Sequence, residues 1–219
     1  MAMDERVAAE RRREMVARQL EDRGIGDPRV LAAMRAVPRH IFVSAEWADA
    51  AYHDRALPIA GGQTISQPYV VALMVEALAP GAGDRALEVG AGSGYAAAVL
   101  ARLVREVVAI ERDPALADAA RTRLAELGVA NVEVHAADGT LGWPPRAPFD
   151  AILVSAGGPR VPPALVEQLA TGGRLVIPVG TRGSQSLLRL VRSASGELAR
   201  EELGDVAFVP LVGSGGFDP

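Results

Sequence analysis

Residues Arg85–Tyr95, RALEVGAGSGY, decide the fold. A short apolar run (Ala86, Leu87, Val89) leads into a glycine-rich turn, and the helical pattern YAAAVLARLV follows at once. Strand, tight turn and helix in that order open the α/β sites that take nucleotides. The glycines at Gly90, Gly92 and Gly94 spell G-x-G-x-G, whereas the dinucleotide fingerprint G-x-G-x-x-G needs glycine where Tyr95 stands. Glu88 lies two residues before the first glycine. A carboxylate there repels a pyrophosphate at short range but attracts a cofactor that carries an ammonium and a sulfonium. The turn therefore reads as a site for S-adenosylmethionine rather than for NAD.

Downstream, strands and helices alternate. Val107–Ile110 reads as a strand ending at Glu111, and Asp113-Pro114 opens a helix that Gly128 stops. Val132–His135 is a third strand, followed by Asp138-Gly139, and Phe149–Val154 a fourth. A helix over Pro163–Leu169 precedes a fifth strand, Arg174–Val179. Leu187–Val191 and Val206–Leu211 read as two last strands around a polar loop, with no helix between them. The expected fold class is α/β: a doubly wound, mostly parallel seven-stranded sheet, Rossmann-like, with an antiparallel C-terminal strand pair.

Upstream, Asp4–Asp22 has helical patterning that ends at Gly24, and Asp27-Pro28 opens a second helix through Ala36. Ser44 is placed to cap a short helix reaching Ala51. The stretch Ala51–Pro68 reads as a long irregular loop anchored by Leu57, Ile59 and Ile65, which favours a functional role. Pro68 then starts the apolar helix PYVVALMVEAL. One domain is expected, with a helical N-terminal extension over 1–51, an active-site loop over 52–68, the cofactor-binding core over 69–211 and a tail over 212–219.

Composition narrows the chemistry. Every one of the 23 basic side chains is arginine, so Schiff-base chemistry on lysine is excluded, and the absence of cysteine removes disulfides, thiolate metal sites and cysteine nucleophiles. A net charge of −4 gives no basic surface for nucleic acid, and Arg11–Arg13, flanked by Glu10 and Glu14, reads as a solvated helix face. No apolar run approaches the roughly 18 residues of a membrane span, and the charged start lacks a signal-peptide core. A cytoplasmic monomer without nucleic-acid or membrane partners is expected. His40, His53 and His135 lack metal-ligand spacing, and Ser93 sits in G-A-G-S-G rather than in a nucleophile elbow. No metal site and no Ser–His–Asp triad are expected.

Ligands of open α/β sheets lie beyond the carboxyl ends of the strands. The chain puts Glu88 and Gly90, then Glu111, then Asp138 and Gly139, at three successive strand ends. Glu111 follows the glycine turn by about twenty residues, the spacing of a carboxylate that accepts ribose hydroxyls, and Asp138 is placed to accept from an adenine amino group. Ser66 and Gln67 precede the helix that starts at Pro68, where free N–H groups favour an anion.

Taken together, ALPIAGGQTISQP, LEVGAGSGYAAAVLA, AIER, NVEVHAADGTLGW, APFDAILVSAG, LVEQLATGGRLVIPVG and FVPL resemble the protein-L-isoaspartate O-methyltransferase family. The similarity runs from about Pro38 to Leu211, and QTISQP is its most specific part. It implies transfer of a methyl group from S-adenosylmethionine to the free α-carboxylate of L-isoaspartyl residues, with later collapse of the ester to a succinimide. By the same resemblance Ser66 is the active-site serine, and Thr64 and Ile65 line the cofactor and peptide side. Glu88, Gly90, Gly92, Gly94, Glu111, Asp138 and Gly139 match cofactor-binding positions, and Gln185 matches a late cofactor contact. Ala91 stands where many members carry threonine, and the tail past Leu211 carries no resemblance. Two other readings stay open on the residues alone: a carboxyl methyltransferase for a small molecule or tailored peptide, and a non-catalytic adenosyl-binding module.

Overall fold

The computed structural model describes residues 3–218. Asp4 accepts from the Arg6 amide and opens α1 (Glu5–Met15), which runs on through a π turn and a 3₁₀ turn until Gly24, at φ 95°, reverses the chain. Asp27 caps α2 (Pro28–Ala36) from the Arg29 amide. Val37, extended before Pro38, ends it, because a residue ahead of proline avoids the helical region. The segment after Ser44 is a 3₁₀ helix (Ala45–Ala50), and Ser44 makes no capping bond to it.

The loop before Pro68 has more order than its composition suggests. A two-stranded antiparallel hairpin, β1 (Leu57–Pro58) and β2 (Thr64–Ile65), is pinned by the buried Leu57 and Ile65. It delivers the chain to α3 (Pro68–Leu78).

The main sheet contains β3 (Arg85–Val89), β4 (Glu106–Glu111), β5 (Val132–Ala136), β6 (Phe149–Val154), β7 (Leu169–Gly180), β8 (Gln185–Arg192) and β9 (Leu198–Val206). Their order is β5-β4-β3-β6-β7-β8-β9; β5 through β7 are parallel, and β8 and β9 are added antiparallel. Helices α4 (Tyr95–Leu100), α5 (Pro114–Glu126) and α6 (Pro163–Glu167) fill the crossovers. The chain moves outward from β3 through β4 and β5, then returns to the other side of β3 with β6. That reversal leaves a crevice beyond the carboxyl ends of β3 and β6, where such sheets bind ligands.

Strand residues alternate between two cores. Ala86, Ala109, Leu153 and Val176 face the side covered by α1 to α4, and Leu87, Ile110, Ile152 and Leu175 face the other. Residues of the first fifty, such as Met15, Leu20, Met34 and Phe42, belong to the same buried cluster as α3 and α4. Phe42 meets Tyr95 edge-on at 5.4 Å, and the Tyr95 hydroxyl reaches Met34 Sδ at 3.7 Å. The N-terminal extension thus fixes Tyr95 at the start of α4.

The last strand departs from the sequence expectation. It is Leu198–Val206, not Val206–Leu211. As the sheet's edge strand it is exposed on nearly its whole length, so it carries LAREELGDV and shows no apolar alternation. The apolar run from Val206 to Leu211 is instead clamped over the sheet's end: Gly157 donates to the Val209 carbonyl, and Leu211 donates to that of Gly157, both at 2.8 Å. Burial made that run apolar without making it a strand. The helix expected over Pro163–Leu169 stops at Glu167, and Leu169 already belongs to β7.

Candidate active site

The turn after β3 holds Gly90, Gly92 and Gly94 at φ 83°, 52° and 89°, a region that side chains with a Cβ rarely enter. The amides of Gly90 and Ala91 both donate to the Ile110 carbonyl at the end of β4, which fastens the turn to the neighbouring strand. Gly94 leads directly into α4, so the free N–H groups of that helix begin beside the turn.

Glu88 points from β3 toward the α3–α4 side and is 1% exposed. Its Oε1 accepts from Ser155 Oγ at 3.2 Å, across the crevice from the end of β6, while Oε2 has no partner among the described residues. Burial pushes its carboxyl up to about 8; the Ser155 bond opposes this, and the neighbouring Glu111 charge adds to it. The consequence for stability has a definite sign. Between the ordinary value of 4.5 and about 8 the unfolded chain releases this proton and the folded chain keeps it, so stability declines over that window. Glu88→Gln should remove the decline and raise Tm at pH 8 by roughly 4–8 °C, equivalent to about 2 kcal/mol in a domain of this size. Melting curves of the two proteins that stay parallel from pH 5 to 9 would contradict this assignment.

Glu111, at the end of β4, accepts from the Gly92 amide at 2.7 Å on Oε2 and from the Asp113 amide at 3.0 Å on Oε1. It therefore joins the glycine turn to the start of α5. Each carboxylate oxygen keeps a second acceptor position for a ligand hydroxyl.

Two cavities run through these residues. The inner one is lined by Ile65, Ser66, Met74, Glu88, Ala91 and Tyr95. The other is lined by Glu111, Arg112, Gly139, Ala156, Pro210 and Val212. Thr64, Gly90, Gly92 and Ser155 border both, so the two form one trough beyond the ends of β3, β4 and β6. The orphaned Glu88 Oε2 at one end and the Glu111 carboxylate near the other are what a molecule with an ammonium and a ribose requires.

Ser66 occupies a junction. It borders the inner cavity and also an outer groove lined by Ala56, Gln67, Val70, Ser184, Asp205 and Phe208; Thr64 is shared in the same way. Its hydroxyl is not a helix cap, since Gln67 holds the N-cap position of α3 and its own side chain makes no capping bond.

Two of the residues marked from sequence stand elsewhere. Gln185 is 2% exposed but does not line the trough: its Nε2 donates to the Thr181 carbonyl, and its Oε1 accepts from the Phe208 amide. It is a clamp that holds Val206–Leu211 over the sheet, and both polar ends are used inside the protein. The Asp138 carboxylate accepts from the Thr140 amide and hydroxyl and from the Ser214 backbone amide. Its neighbour Gly139 lines the trough.

Ser155, Tyr95, Arg112 and the stretch Val209–Val212 border the trough and were not singled out from sequence. Ser155 follows β6 directly, so the strand-end rule that selects Glu88 and Glu111 would have selected it too. Val209–Val212 carry no local signal, because only the Gly157 clamp brings them there.

Residues 10–216 match the family model for protein-L-isoaspartate(D-aspartate) O-methyltransferase. The chain is 57% identical over 211 residues to protein-L-isoaspartate O-methyltransferase 1 of Rhodopseudomonas palustris strain HaA2, covering 96% of this chain and 86% of the relative. It is 59% identical over 212 residues to the protein-L-isoaspartate O-methyltransferase of Methylorubrum extorquens strain PA1, covering 96% and 92%. Among solved structures it is similar to a protein-L-isoaspartate O-methyltransferase at a TM-score of 0.83 and 29% identity, over 93% of this chain and 67% of that one. A beta-aspartate methyltransferase from Plasmodium falciparum, in complex with S-adenosyl-L-homocysteine, is similar at a TM-score of 0.77 and 27% identity, over 90% and 96%.

Proposed function

The chain belongs to the protein-L-isoaspartate(D-aspartate) O-methyltransferase family, and from that premise we propose which of its residues carry the reaction. The enzyme methylates the free carboxylate of L-isoaspartyl residues in proteins and peptides with S-adenosylmethionine as donor. The observation that carries the residue assignment is the position of Ser66, which borders both the inner end of the trough and the outer groove.

Bound in the trough, S-adenosylmethionine supplies an electrophilic methyl on a sulfonium. The Glu88 end takes the amino acid part, Glu111 takes the ribose hydroxyls, and the glycine turn at Gly90, Gly92 and Gly94 lets the backbone lie close beneath them. Glu88 holds a proton in the free protein and gives it up when a cation settles against Oε2. The acceptor lies in the outer groove, with Thr64 and Ile65 as the border to the trough.

An acceptor carboxylate has a pKa of roughly 4 and is ionised at neutral pH, so no general base is required. This agrees with a site that contains no cysteine, lysine or histidine. What remains is positioning, which is worth up to roughly 7–11 kcal/mol of barrier when the reacting atoms are aligned. Ser66 donates its hydroxyl to one acceptor oxygen, and the free amides of the first turn of α3 reinforce the hold.

The test compares a peptide containing isoaspartate with its aspartate twin. The first is expected to take label from methyl-labelled cofactor, while the second stays at the blank. Equal labelling of both would favour a general carboxyl methyltransferase instead. The same proposal includes a cytoplasmic monomer, which fractionation and light scattering check; no helix among the described residues is long and apolar enough to cross a membrane.

A further inference from the structure

Ser155 is the first residue past β6, and its amide donates to the Val89 carbonyl of β3 at 2.8 Å. That bond ties the end of β6 to the residue next to Glu88. The glycine turn packs against the same residue, since a Cβ added at Gly90 would meet the Ser155 carbonyl carbon at 3.6 Å. With its backbone held there, Ser155 brings its hydroxyl to Glu88 Oε1 at 3.2 Å, the one hydrogen bond this hydroxyl makes among the described residues. Glu88 Oε2 is left without a partner. Glu88 lines the inner cavity, and Ser155 borders both parts of the trough.

The last torsion of a glutamate side chain is broad and roughly two-fold, so a carboxyl group without a donor has no fixed facing. A donor on one oxygen sets that facing and leaves the other oxygen to a ligand. It also favours the charged form: the Ser155 bond opposes the rise that burial imposes on Glu88. The other side chains around the carboxyl do not help. Tyr95 on α4 is pushed up to about 12 and stays neutral, and Glu111 at the end of β4 adds negative charge. Ile65 and Ser66 before α3, and Val71 and Met74 within it, carry no charge.

We propose that Ser155 is a positioning residue for the methyl donor: its hydroxyl holds Glu88 Oε1 so that Oε2 faces the ammonium of the cofactor's amino acid part. It acts through Glu88 and needs no contact of its own with the cofactor. This rests on the reading of the trough as the S-adenosylmethionine site with Glu88 at its amino acid end.

Two ligands separate an effect through Glu88 from a change in the wall of the trough. S-Adenosylhomocysteine carries the ammonium, whereas 5′-methylthioadenosine keeps the adenosine and the sulfur but has no amino acid part. Calorimetry at pH 8 compares the parent, Ser155→Ala, Ser155→Thr, Glu88→Gln and the variant with both Glu88→Gln and Ser155→Ala, with melting curves to verify folding. Ser155→Gly, which also removes the hydroxyl, covers the case in which the alanine variant fails to fold. Ser155→Ala is expected to weaken S-adenosylhomocysteine about tenfold and to bind methylthioadenosine as the parent does. Ser155→Thr should recover most of the loss, and Ser155→Ala should cost nothing further once Glu88 is glutamine. The pH of half-maximal affinity for S-adenosylhomocysteine should move upward in Ser155→Ala, because Glu88 then gives up its proton less readily. Parent affinity in Ser155→Ala would overturn the proposal, as would an equal loss for both ligands, a loss that persists in Glu88→Gln, or a pH profile that does not move. A Glu88→Gln variant with parent affinity for S-adenosylhomocysteine, or a parent that does not bind it, would instead overturn the reading of the trough.

Discussion

Ser66→Ala is expected to turn over at about a hundredth of the parent rate, the size of effect seen when one preorganised donor is removed from a reacting oxygen. S-Adenosylhomocysteine should bind it as it binds the parent. The separation follows from where Ser66 sits. It precedes α3, between the inner cavity and the outer groove, and its hydroxyl is not engaged in capping the helix. Removing it leaves Glu88, Glu111 and the glycine turn in place, so the donor stays bound while the acceptor loses its alignment. Loss of orientation lowers kcat, whereas loss of uniform binding raises KM. Ser66→Thr, which keeps a hydroxyl, should recover part of the rate. A Ser66→Ala enzyme with the parent kcat would remove Ser66 from the reaction, and one whose cofactor affinity fell in step with kcat would make it a structural residue of the trough.

Glu111→Ala is expected to weaken S-adenosylhomocysteine about a hundredfold. Hydrogen bonds to a charged group are each worth roughly 1.5–3 kcal/mol, so losing two such bonds to ribose hydroxyls accounts for about 3 kcal/mol or more. The substitution also frees the Gly92 and Asp113 amides, which Glu111 now holds at 2.7 and 3.0 Å, and so loosens the turn. Glu111→Gln keeps one acceptor and the shape of the side chain, and should be milder. Calorimetry at constant salt distinguishes the three proteins. Full affinity in Glu111→Ala would show that the ribose lies elsewhere.

The fold was largely legible because its signals are local. Asp27-Pro28, Asp113-Pro114 and Pro68 open α2, α5 and α3 where the sequence places those starts. Leu87, Ile110 and Ile152 read as strand residues because the parallel strands are buried on both faces and appear as continuous apolar runs. β9 was not legible. Exposed on both faces, it shows no period, and the neighbouring run Val206–Leu211 mimicked a strand because it is buried for another reason.

Function was legible where position along the chain maps directly onto position in space. Glu88 and Glu111 could be assigned to the crevice because each lies in the last two residues of a strand of one parallel sheet, and the sheet brings strand ends together. The intramolecular bonds of Gln185 and Asp138 were not legible in this way. Both have the residue type and the sequence position of a cofactor contact, yet the side chain of each is turned to a partner far along the chain, Phe208 and Ser214.

By itself, then, the sequence determined the class of sheet, the glycine turn, the acids at the strand ends and the chemistry they can attract, since each follows from neighbours within a turn or a strand. Only the tertiary structure decided that Ser66 borders two cavities, that Glu88 lies buried with one oxygen unpartnered, and that Val209–Val212 line the trough beside Gly139. Those properties depend on which distant segments pack together and on which polar atoms that packing removes from water. A side chain's charge, reach and available lone pairs are set by those neighbours rather than by the residues beside it in the chain.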